Sequence, residues 1–278
     1  MGGETTNASP PGWYPDPWYP SSLRWWDGVR WTPQARVMPP PPPPPLTTLR
    51  RPAFWVVLAA IIGIVGGGRV TSDATARLVT TLDAWEVVNW AFYIVVYGGL
   101  AVLVVWACRR YGTGSLRADL GFRFQLADLG WGLVLFVGGR FAQAVVTAPL
   151  VAIPALRTSS QRHSDVMRHQ PMEVLVTMVI VGVLVAPVVE ELVFRGVMFR
   201  SLLAKLGGAG AAVVQGVLFG VYHFAPDMGL YNIVLITANG TFGVIFGFVA
   251  RARRSLGTGV VAHAITNATA FIFIFATR

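Results

Sequence analysis

Two adjacent carboxylates lie inside an apolar stretch of the chain. Glu190 and Glu191 follow the run Val-Leu-Val-Ala-Pro-Val-Val of residues 183–189 without a break. A carboxylate in hydrocarbon is unstable unless it is paired or hydrated, so each of the two is a candidate for chemistry. Arg195 lies four residues after Glu191, so a helix places these two on one face with the glutamate first, which is the favourable order. Glu190 points roughly 100° away and is left free for other work.

Two histidines lie on later apolar segments. Phe219 and His223 are four residues apart, as are His263 and Asn267, so each pair shares one face of its helix. Pro187 frees a backbone carbonyl one turn before the glutamates and can kink the helix, which opens room for water. A carboxylate, two imidazoles and an amide are therefore available to converge, although a histidine or asparagine between helices also serves as a plain interhelical hydrogen-bonding group.

The elements that must position these side chains belong to a strongly apolar chain. It is 54% hydrophobic and only 13% charged, whereas a soluble domain carries about 25% charged residues. Segments of roughly 20 apolar residues can cross a bilayer. The apolar segments are 54–70, 87–107, 129–153, 173–198, 209–224, 229–250 and 257–275. The pattern predicts an all-α, polytopic transmembrane bundle of about seven spans with a small N-terminal β-hairpin module.

The formal charge of +9 does not indicate nucleic-acid binding, because the basic residues form short clusters between apolar segments. That arrangement is typical of the positive-inside rule. Seven spans from a cytoplasmic N terminus place eleven basic residues in cytoplasmic connections and five in outward loops. No secretory signal opens the chain. We therefore expect a multi-pass protein of the plasma membrane with its N terminus in the cytoplasm, and we expect His163 and His169 to be solvated in an outward loop.

The N-terminal part predicts a separate module. We expect a disordered N terminus over residues 1–9, a cytoplasmic Trp-rich module over 10–35, a proline-rich linker over 36–52 and the transmembrane domain over 53–278. Asp27-Gly28 predicts a type I′ hairpin turn. Residues 10–35 resemble a Trp-rich module of unknown function found in actinobacterial membrane proteins. A proline-rich peptide is a candidate partner for its aromatic surface, and a mini-fold with no partner is the alternative. Prolines 39–45 predict a stiff spacer.

The polar residues of the transmembrane part carry a second resemblance. They resemble the CPBP family, the type II CAAX prenyl endopeptidases and Abi-like membrane proteases, through three motifs in order: Glu190-Glu191-x-x-x-Arg195, Phe219-x-x-x-His223 and His263-x-x-x-Asn267. The resemblance implies an intramembrane endopeptidase acting on a membrane-associated protein or peptide. It also implies that Arg195 holds the Glu191 carboxylate in place and that Phe219 supports the site.

The same resemblance implies a role for each remaining residue of the motifs. Glu190 is the general base that activates water, with His223 beside it. His263 and Asn267 donate hydrogen bonds to the oxyanion. Neutral donors aimed at a developing negative charge are effective in a low-dielectric site, so the implied roles agree with the residue types.

Two interpretations of the cofactor stay open. Glu190, His223 and His263 can be written as a three-ligand zinc site with one open position, and the family is labelled metalloprotease. The His-Glu-x-x-His motif is absent, however, and Asn267, the partner of His263 on its helix, is a poor zinc ligand. A divalent metal and a metal-free glutamate mechanism fit these side chains equally well.

Two other functions compete with proteolysis. A catalytically silent scaffold would use the same polar pocket to hold a partner protein. A proton-coupled carrier would use the glutamates and histidines as a relay. The pair His263 and Asn267 suits an oxyanion better than a relay, which favours the peptidase over the carrier.

Overall fold

The computed structural model describes residues 9–38, 49–50, 52–63, 82–225 and 228–278, with the backbone alone at 82–87 and 89. The expected disordered N terminus, apart from its last residue, and the proline spacer at 39–45 lie outside the described residues. The chain divides into two compact units, Met1–Pro45 and Leu46–Arg278, and each is described by itself.

The N-terminal unit is a three-stranded antiparallel sheet in the order β1-β2-β3, so it is larger than the predicted hairpin. Its strands are β1 (Gly12–Pro15), β2 (Ser22–Trp26) and β3 (Trp31–Val37). Trp13 lies opposite Trp25 across β1 and β2, with ring centroids 5.5 Å apart in an edge-to-face contact. Cross-strand aromatic pairs of this kind stabilise a sheet that is too small to bury a core.

The predicted type I′ turn at Asp27-Gly28 is wrong. Trp26 pairs with Trp31, so four residues connect β2 to β3. A type I′ turn needs a positive φ at both central residues, and of the two only Gly28 has one, at 99°. The Asp27 carboxylate causes the difference, because its Oδ1 accepts hydrogen bonds from the backbone N–H groups of Val29 at 2.8 Å and Arg30 at 2.7 Å.

The second unit is helical. Its α-helices in chain order are α1 (Pro52–Gly63), α2 (Leu82–Tyr111), α3 (Leu116–Leu120), α4 (Ala127–Val151), α5 (Pro154–Arg168), α6 (Met172–Val179), α7 (Ala186–Glu191), α8 (Phe199–Tyr222), α9 (Tyr231–Arg253) and α10 (Gly257–Ala276). Two π-helical segments, π1 (Ile180–Val185) and π2 (Leu192–Met198), lie on either side of α7.

Five stretches of the described chain are long and apolar enough to cross a membrane. They are Trp90–Tyr111, Ala127–Val151, Met172–Tyr222, Tyr231–Arg253 and Gly257–Ala276. The predicted multi-pass helical fold is therefore confirmed. The helix α1 covers only the described part of the first predicted segment, so the number of spans stays a prediction.

The stretch Met172–Tyr222 is a helical hairpin rather than one straight rod. Gly207 has φ 64° and ψ 178°, which a helix cannot contain and which glycine adopts without strain. The ring of Phe194 lies 5.0 Å from that of Phe219, so the chain on the two sides of Gly207 runs back alongside itself. This hairpin brings the acid pair of α7 toward the end of α8, where His223 lies.

Glycines bring α8 and α9 close together. A Cβ atom on Gly216 would lie 2.5 Å from the backbone nitrogen of Val244, and one on Gly220 would lie 2.5 Å from the carbonyl oxygen of Ile236. Small residues at a helix interface allow this approach. The close approach stacks the ring of Phe219 against that of Phe242 at 6.3 Å, which forms one wall of the candidate site.

The predicted outward loop contains the helix α5, which sequence reasoning missed. The sequence of α5 is polar, and Pro154 starts it at a position where a missing N–H costs nothing. His163 is half-buried, with its ring stacked 4.5 Å from that of Tyr231, so the expectation that it is solvated is wrong. His169 is exposed, and its Nδ1 lies 2.7 Å from the carbonyl oxygen of Asp165.

Candidate active site

The acid pair lies on one turn of α-helix between the two π segments. Ala186 donates its N–H to the carbonyl of Val181, five residues back. The next bond of that register would join Pro187 to the carbonyl of Gly182, but proline has no N–H to donate. The Gly182 carbonyl instead accepts a hydrogen bond from Asn267 Nδ2 at 2.7 Å. Pro187 thus frees a carbonyl, as predicted, and the freed carbonyl ties α10 to π1.

Glu191 forms the predicted ion pair with Arg195. Glu191 Oε1 lies 3.1 Å from Arg195 Nη1, and both side chains are fully buried. The guanidinium also lies 4.2 Å from the ring centroid of Phe219 and 5.4 Å from that of Phe246. A planar cation between two aromatic rings is held in place by packing as well as by charge. The guanidinium is therefore a positive charge held in a fixed position beside the acid pair.

His263 lies between the two carboxylates. Its Nε2 is 3.8 Å from Glu190 Oε2, and its Nδ1 is 3.4 Å from Glu191 Oε1. Gly259, one turn earlier on α10, makes this position accessible, because a Cβ atom there would lie 2.6 Å from Glu191 Oε2. The first predicted contact across the helices, between the acid pair and an imidazole, is therefore present.

His223 joins the same group through Phe219. The Nδ1 of His223 lies 2.8 Å from the carbonyl oxygen of Phe219, and because a carbonyl only accepts, this nitrogen carries the proton. The Nε2 of the neutral ring is then an acceptor. The ring of Phe219 lies 4.6 Å from that of His223 and 5.8 Å from that of His263. His223 is also close enough for the charge of Glu190 to act on it.

Asn267 lies one turn beyond His263 on α10, as the spacing predicts. One of its two amide N–H groups is used by the Gly182 carbonyl. An amide nitrogen carries two N–H groups, so the second stays available in a fixed orientation. Of the predicted residues, the structure brings Glu190, Glu191, Arg195, Phe219 and His263 into direct contact, with His223 next to Phe219 and Asn267 held through Gly182.

Sequence reasoning missed Tyr97 on α2. Its hydroxyl donates a hydrogen bond to Glu190 Oε1 at 3.2 Å and also interacts with the hydroxyl of Tyr222. Both Glu190 oxygens therefore face a polar group, with Tyr97 on one side and His263 on the other. No spacing rule could identify Tyr97, because it lies 93 residues from its partner on a helix that carries no motif.

A second missed group fixes the start of α10. Thr258 Oγ1 donates to Asp128 Oδ1 at 2.6 Å, and the Gln125 N–H donates to Asp128 Oδ2 at 2.8 Å. Asp128 is nearly fully buried. This carboxylate holds the first turn of α10 against the start of α4, five residues before His263. The Asp128 contacts therefore fix the start of the helix that carries the His263 imidazole.

The candidate metal ligands do not form a three-ligand group. In the described ranges of the chain, no set of three His, Cys, Asp or Glu side chains is arranged to hold a metal ion. The guanidinium of Arg195 lies beside Glu191, and its fixed positive charge opposes a divalent cation next to it. Glu190, His223 and His263 therefore do not fit zinc in this arrangement.

Comparisons with known proteins agree with both resemblances. Residues 172–269 match the family described as type II CAAX prenyl endopeptidase Rce1-like, and this range contains every predicted site residue. Residues 11–45 match a family described as a protein of unknown function, DUF2510. A relative from Bacillus subtilis (strain 168), named "Putative membrane peptidase YdiL", is 26% identical over 204 residues, which cover 72% of this chain and 74% of the relative. No solved structure matches.

These matches cover the two units separately, with the Rce1-like match confined to the stretch that holds the acid pair and the two histidines. The predicted resemblance to the membrane proteases is confirmed. The chain therefore carries a stretch similar to the Rce1-like membrane proteases, within a unit that has several helices long and apolar enough to cross a membrane, and an N-terminal stretch similar to the DUF2510 family.

Proposed function

We propose that this chain is an intramembrane endopeptidase in which Glu190 activates a water molecule to cleave a peptide bond of a membrane-associated protein or peptide. One observation carries the proposal. Glu190 is buried among apolar helices, yet among the described residues no arginine or lysine forms an ion pair with it, since Arg195 is bound to the neighbouring Glu191. A carboxylate that is positioned but not neutralised is what a general base requires.

The proposed reaction begins with proton transfer from water to Glu190. The water oxygen forms a bond with the scissile carbonyl carbon, and the carbonyl oxygen becomes an oxyanion. The C–N bond then breaks, and the proton held by Glu190 passes to the departing nitrogen. The Tyr97 hydroxyl fixes the orientation of the carboxylate throughout, because it donates to Oε1 and leaves Oε2 for the water. His223 Nε2 is a second hydrogen-bond acceptor close to Glu190.

The oxyanion is stabilised by donors from α10. His263 Nε2 lies 3.8 Å from Glu190 Oε2, which places this imidazole beside the carboxylate that would activate the water. Asn267 supplies its second amide N–H, and the bond to Gly182 removes its rotational freedom before substrate binds. Donors that are already oriented in a site away from water need no reorganisation during the reaction, which is the main source of their effect.

Glu191 and Arg195 support the reaction indirectly. Two adjacent carboxylates in a buried site repel one another, and the guanidinium compensates this charge while its aromatic neighbours hold it in place. Removal of Arg195 would leave both carboxylates buried with no cation in contact. The ion pair therefore offsets the charge of Glu191 next to Glu190.

The test compares peptide cleavage by the wild-type protein with that by Glu190→Gln. Both proteins are purified in detergent and incubated with a peptide library, and new termini are identified by mass spectrometry. Glu173→Gln is the matched control, because Glu173 lies in the first turn of α6 and is exposed. We expect cleavage by wild type and Glu173→Gln and none by Glu190→Gln. Equal cleavage by Glu190→Gln would refute Glu190 as the base.

The same comparison tests the scaffold alternative. A scaffold predicts that wild type and Glu190→Gln are equally inert toward all peptides while a partner protein co-purifies with both. Folding of the variant is verified by its unfolding temperature and its elution volume in size-exclusion chromatography, so a misfolded protein is not counted as an inert one.

We also propose a plasma-membrane location with the N terminus in the cytoplasm. Basic residues gather at one end of the helical unit, where Arg200 Nη2 donates to the Leu120 carbonyl and Arg253 lies 3.7 Å from Asp128. The positive-inside rule assigns this end to the cytoplasm. Cysteines introduced at Lys205 and Gln170 test the orientation by labelling of intact cells with an impermeant reagent. The Gln170 position should react and the Lys205 position should not; the reverse pattern would invert the orientation.

A further inference from the structure

Two aromatic side chains of the N-terminal unit are directed outward. Trp18 and Tyr19 lie in the loop between β1 and β2 and are 62% and 63% exposed. Trp13 and Trp25, in contrast, are half-buried against one another on the sheet. The guanidinium of Arg24 lies 5.1 Å from the centroid of the Trp18 ring, yet most of both rings stays exposed at one end of the module.

The loop that carries these rings is held rigidly. Asp16 is 5% exposed, and its Oδ1 accepts the N–H of Trp18 at 2.9 Å while its Oδ2 accepts Arg24 Nε at 3.0 Å. The Tyr19 carbonyl accepts both the N–H of Ser22 at 3.0 Å and its hydroxyl at 2.9 Å. Because the backbone is already fixed on both sides, docking of the two rings orders little further chain.

We propose that Trp18 and Tyr19 dock the N-terminal unit on the interface of a lipid bilayer. Trp and Tyr are enriched at the membrane–water interface, where the ring is in contact with acyl chains and the N–H or O–H with headgroups. A proline-rich peptide would need a groove lined by aromatic rings. Trp18 and Tyr19 are more than half exposed at one end of the sheet, which suits insertion of their rings between lipid headgroups.

The connection to the helical unit keeps the bilayer within reach. Leu49 is 3% exposed in the apolar core of that unit, and the N–H of Arg50 donates to the carbonyl of Tyr111 at the end of α2. The ten residues 39–48 separate Leu49 from Met38, the last described residue after β3, and ten residues span at most about 35 Å. The N-terminal unit therefore cannot diffuse away from the bilayer that holds the helical unit, so a weak interfacial contact is sufficient.

The test measures how deeply one position lies in a bilayer. Cys108 is the single cysteine and is buried, so Cys108→Ala gives a background for site-specific labelling. In that full-length background, Ser21→Cys places a nitroxide beside Tyr19 without changing either ring. Val29→Cys is the matched control, because Val29 is 84% exposed in the loop at the other end of β2. Both proteins are reconstituted in phosphatidylethanolamine–phosphatidylglycerol vesicles, and collision with oxygen and with a water-soluble nickel chelate is measured.

We expect the label at position 21 to collide more with oxygen and less with the nickel chelate than the label at position 29. The double change Trp18→Ala and Tyr19→Ala should abolish that difference. Equal accessibility at the two positions would overturn the proposal. Protection from both probes that persists in detergent would also overturn it, since it would mean that a protein segment covers the rings. Both outcomes are independent of peptide cleavage, so failure here leaves the proposed peptidase function untouched.

Discussion

The buried ion pair gives the sharpest prediction for stability. Glu191 and Arg195 are both fully buried, and the charge of Glu190 also acts on the guanidinium. Removing one member of a buried pair leaves the other charge without compensation, which costs about 3–5 kcal/mol. Arg195→Met leaves two adjacent carboxylates without their cation, so we expect the free energy of unfolding to fall by about 3–5 kcal/mol.

A double-mutant cycle separates the charge effect from the packing effect. Glu191→Gln alone leaves Arg195 with Glu190 as a nearby anion, so its cost should be smaller, about 1–3 kcal/mol. The combined Arg195→Met and Glu191→Gln variant has no buried cation to compensate, and it should recover most of the loss, to within about 2 kcal/mol of wild type. The cycle should therefore show that the Glu191–Arg195 interaction stabilises the protein, by more than an exposed ion pair would.

The measurement is denaturant unfolding in detergent micelles, followed by tryptophan fluorescence for all four proteins of the cycle. Arg140→Met is the control: Arg140 also lies in an apolar helix, but it is exposed and donates a hydrogen bond to the neutral Gln143, so its effect should be within about 0.5 kcal/mol. If the double variant is as unstable as Arg195→Met, the charge pair is not the source of the loss. Packing of the guanidinium against Phe219 and Phe246 would then explain it.

Four further predictions concern the site. Tyr97→Phe removes the hydrogen bond to Glu190 and should lower turnover about 10-fold. Tyr93→Phe, one turn earlier on the same helix, is the control and should leave turnover unchanged. Equal effects of the two changes would contradict a role for the Tyr97–Glu190 contact. Gly259→Ala places a Cβ atom 2.6 Å from Glu191 Oε2, so we expect both turnover and unfolding temperature to fall. Wild-type values of both would show that the Glu191 carboxylate is free to move. Asn267→Ala should lower turnover about 100-fold; unchanged turnover would remove it from the oxyanion site. Exhaustive treatment with a chelator should leave peptide cleavage intact, and a loss that zinc restores would overturn the metal-free mechanism.

Helical periodicity allowed part of the site to be predicted. The spacing of Glu191 and Arg195 predicts their ion pair, and the spacing of His263 and Asn267 predicts that one helix presents both. Contacts within one helix follow from a period of 3.6 residues, and a lone carboxylate in an apolar segment must find a partner. The sequence therefore carries these features locally.

Contacts between distant helices could not be predicted. Tyr97 approaches Glu190, and Asp128 approaches Thr258, only because the helices pack in one particular arrangement. The hydrogen bond from Asn267 to the freed Gly182 carbonyl likewise joins two helices that are 85 residues apart in the sequence. In the N-terminal unit, the Asp27 side chain accepts hydrogen bonds from two backbone N–H groups, Val29 and Arg30. This local competition with the backbone explains why Asp27-Gly28 does not form the type I′ turn that the dipeptide usually predicts.

The break at Gly207 has a consequence for the order in which the protein assembles. Glu190 and His223 are separated by 33 residues within one hairpin, so they can meet as soon as that hairpin has been synthesised and inserted. His263 and Asn267 lie on α10, 73 and 77 residues after Glu190. Under the proposed mechanism, a chain whose α10 has not yet docked holds the acid and one imidazole but lacks the two proposed oxyanion donors. Hydrolytic activity would then arise only once α10 has docked, which would protect neighbouring polypeptides in the membrane from an immature protein.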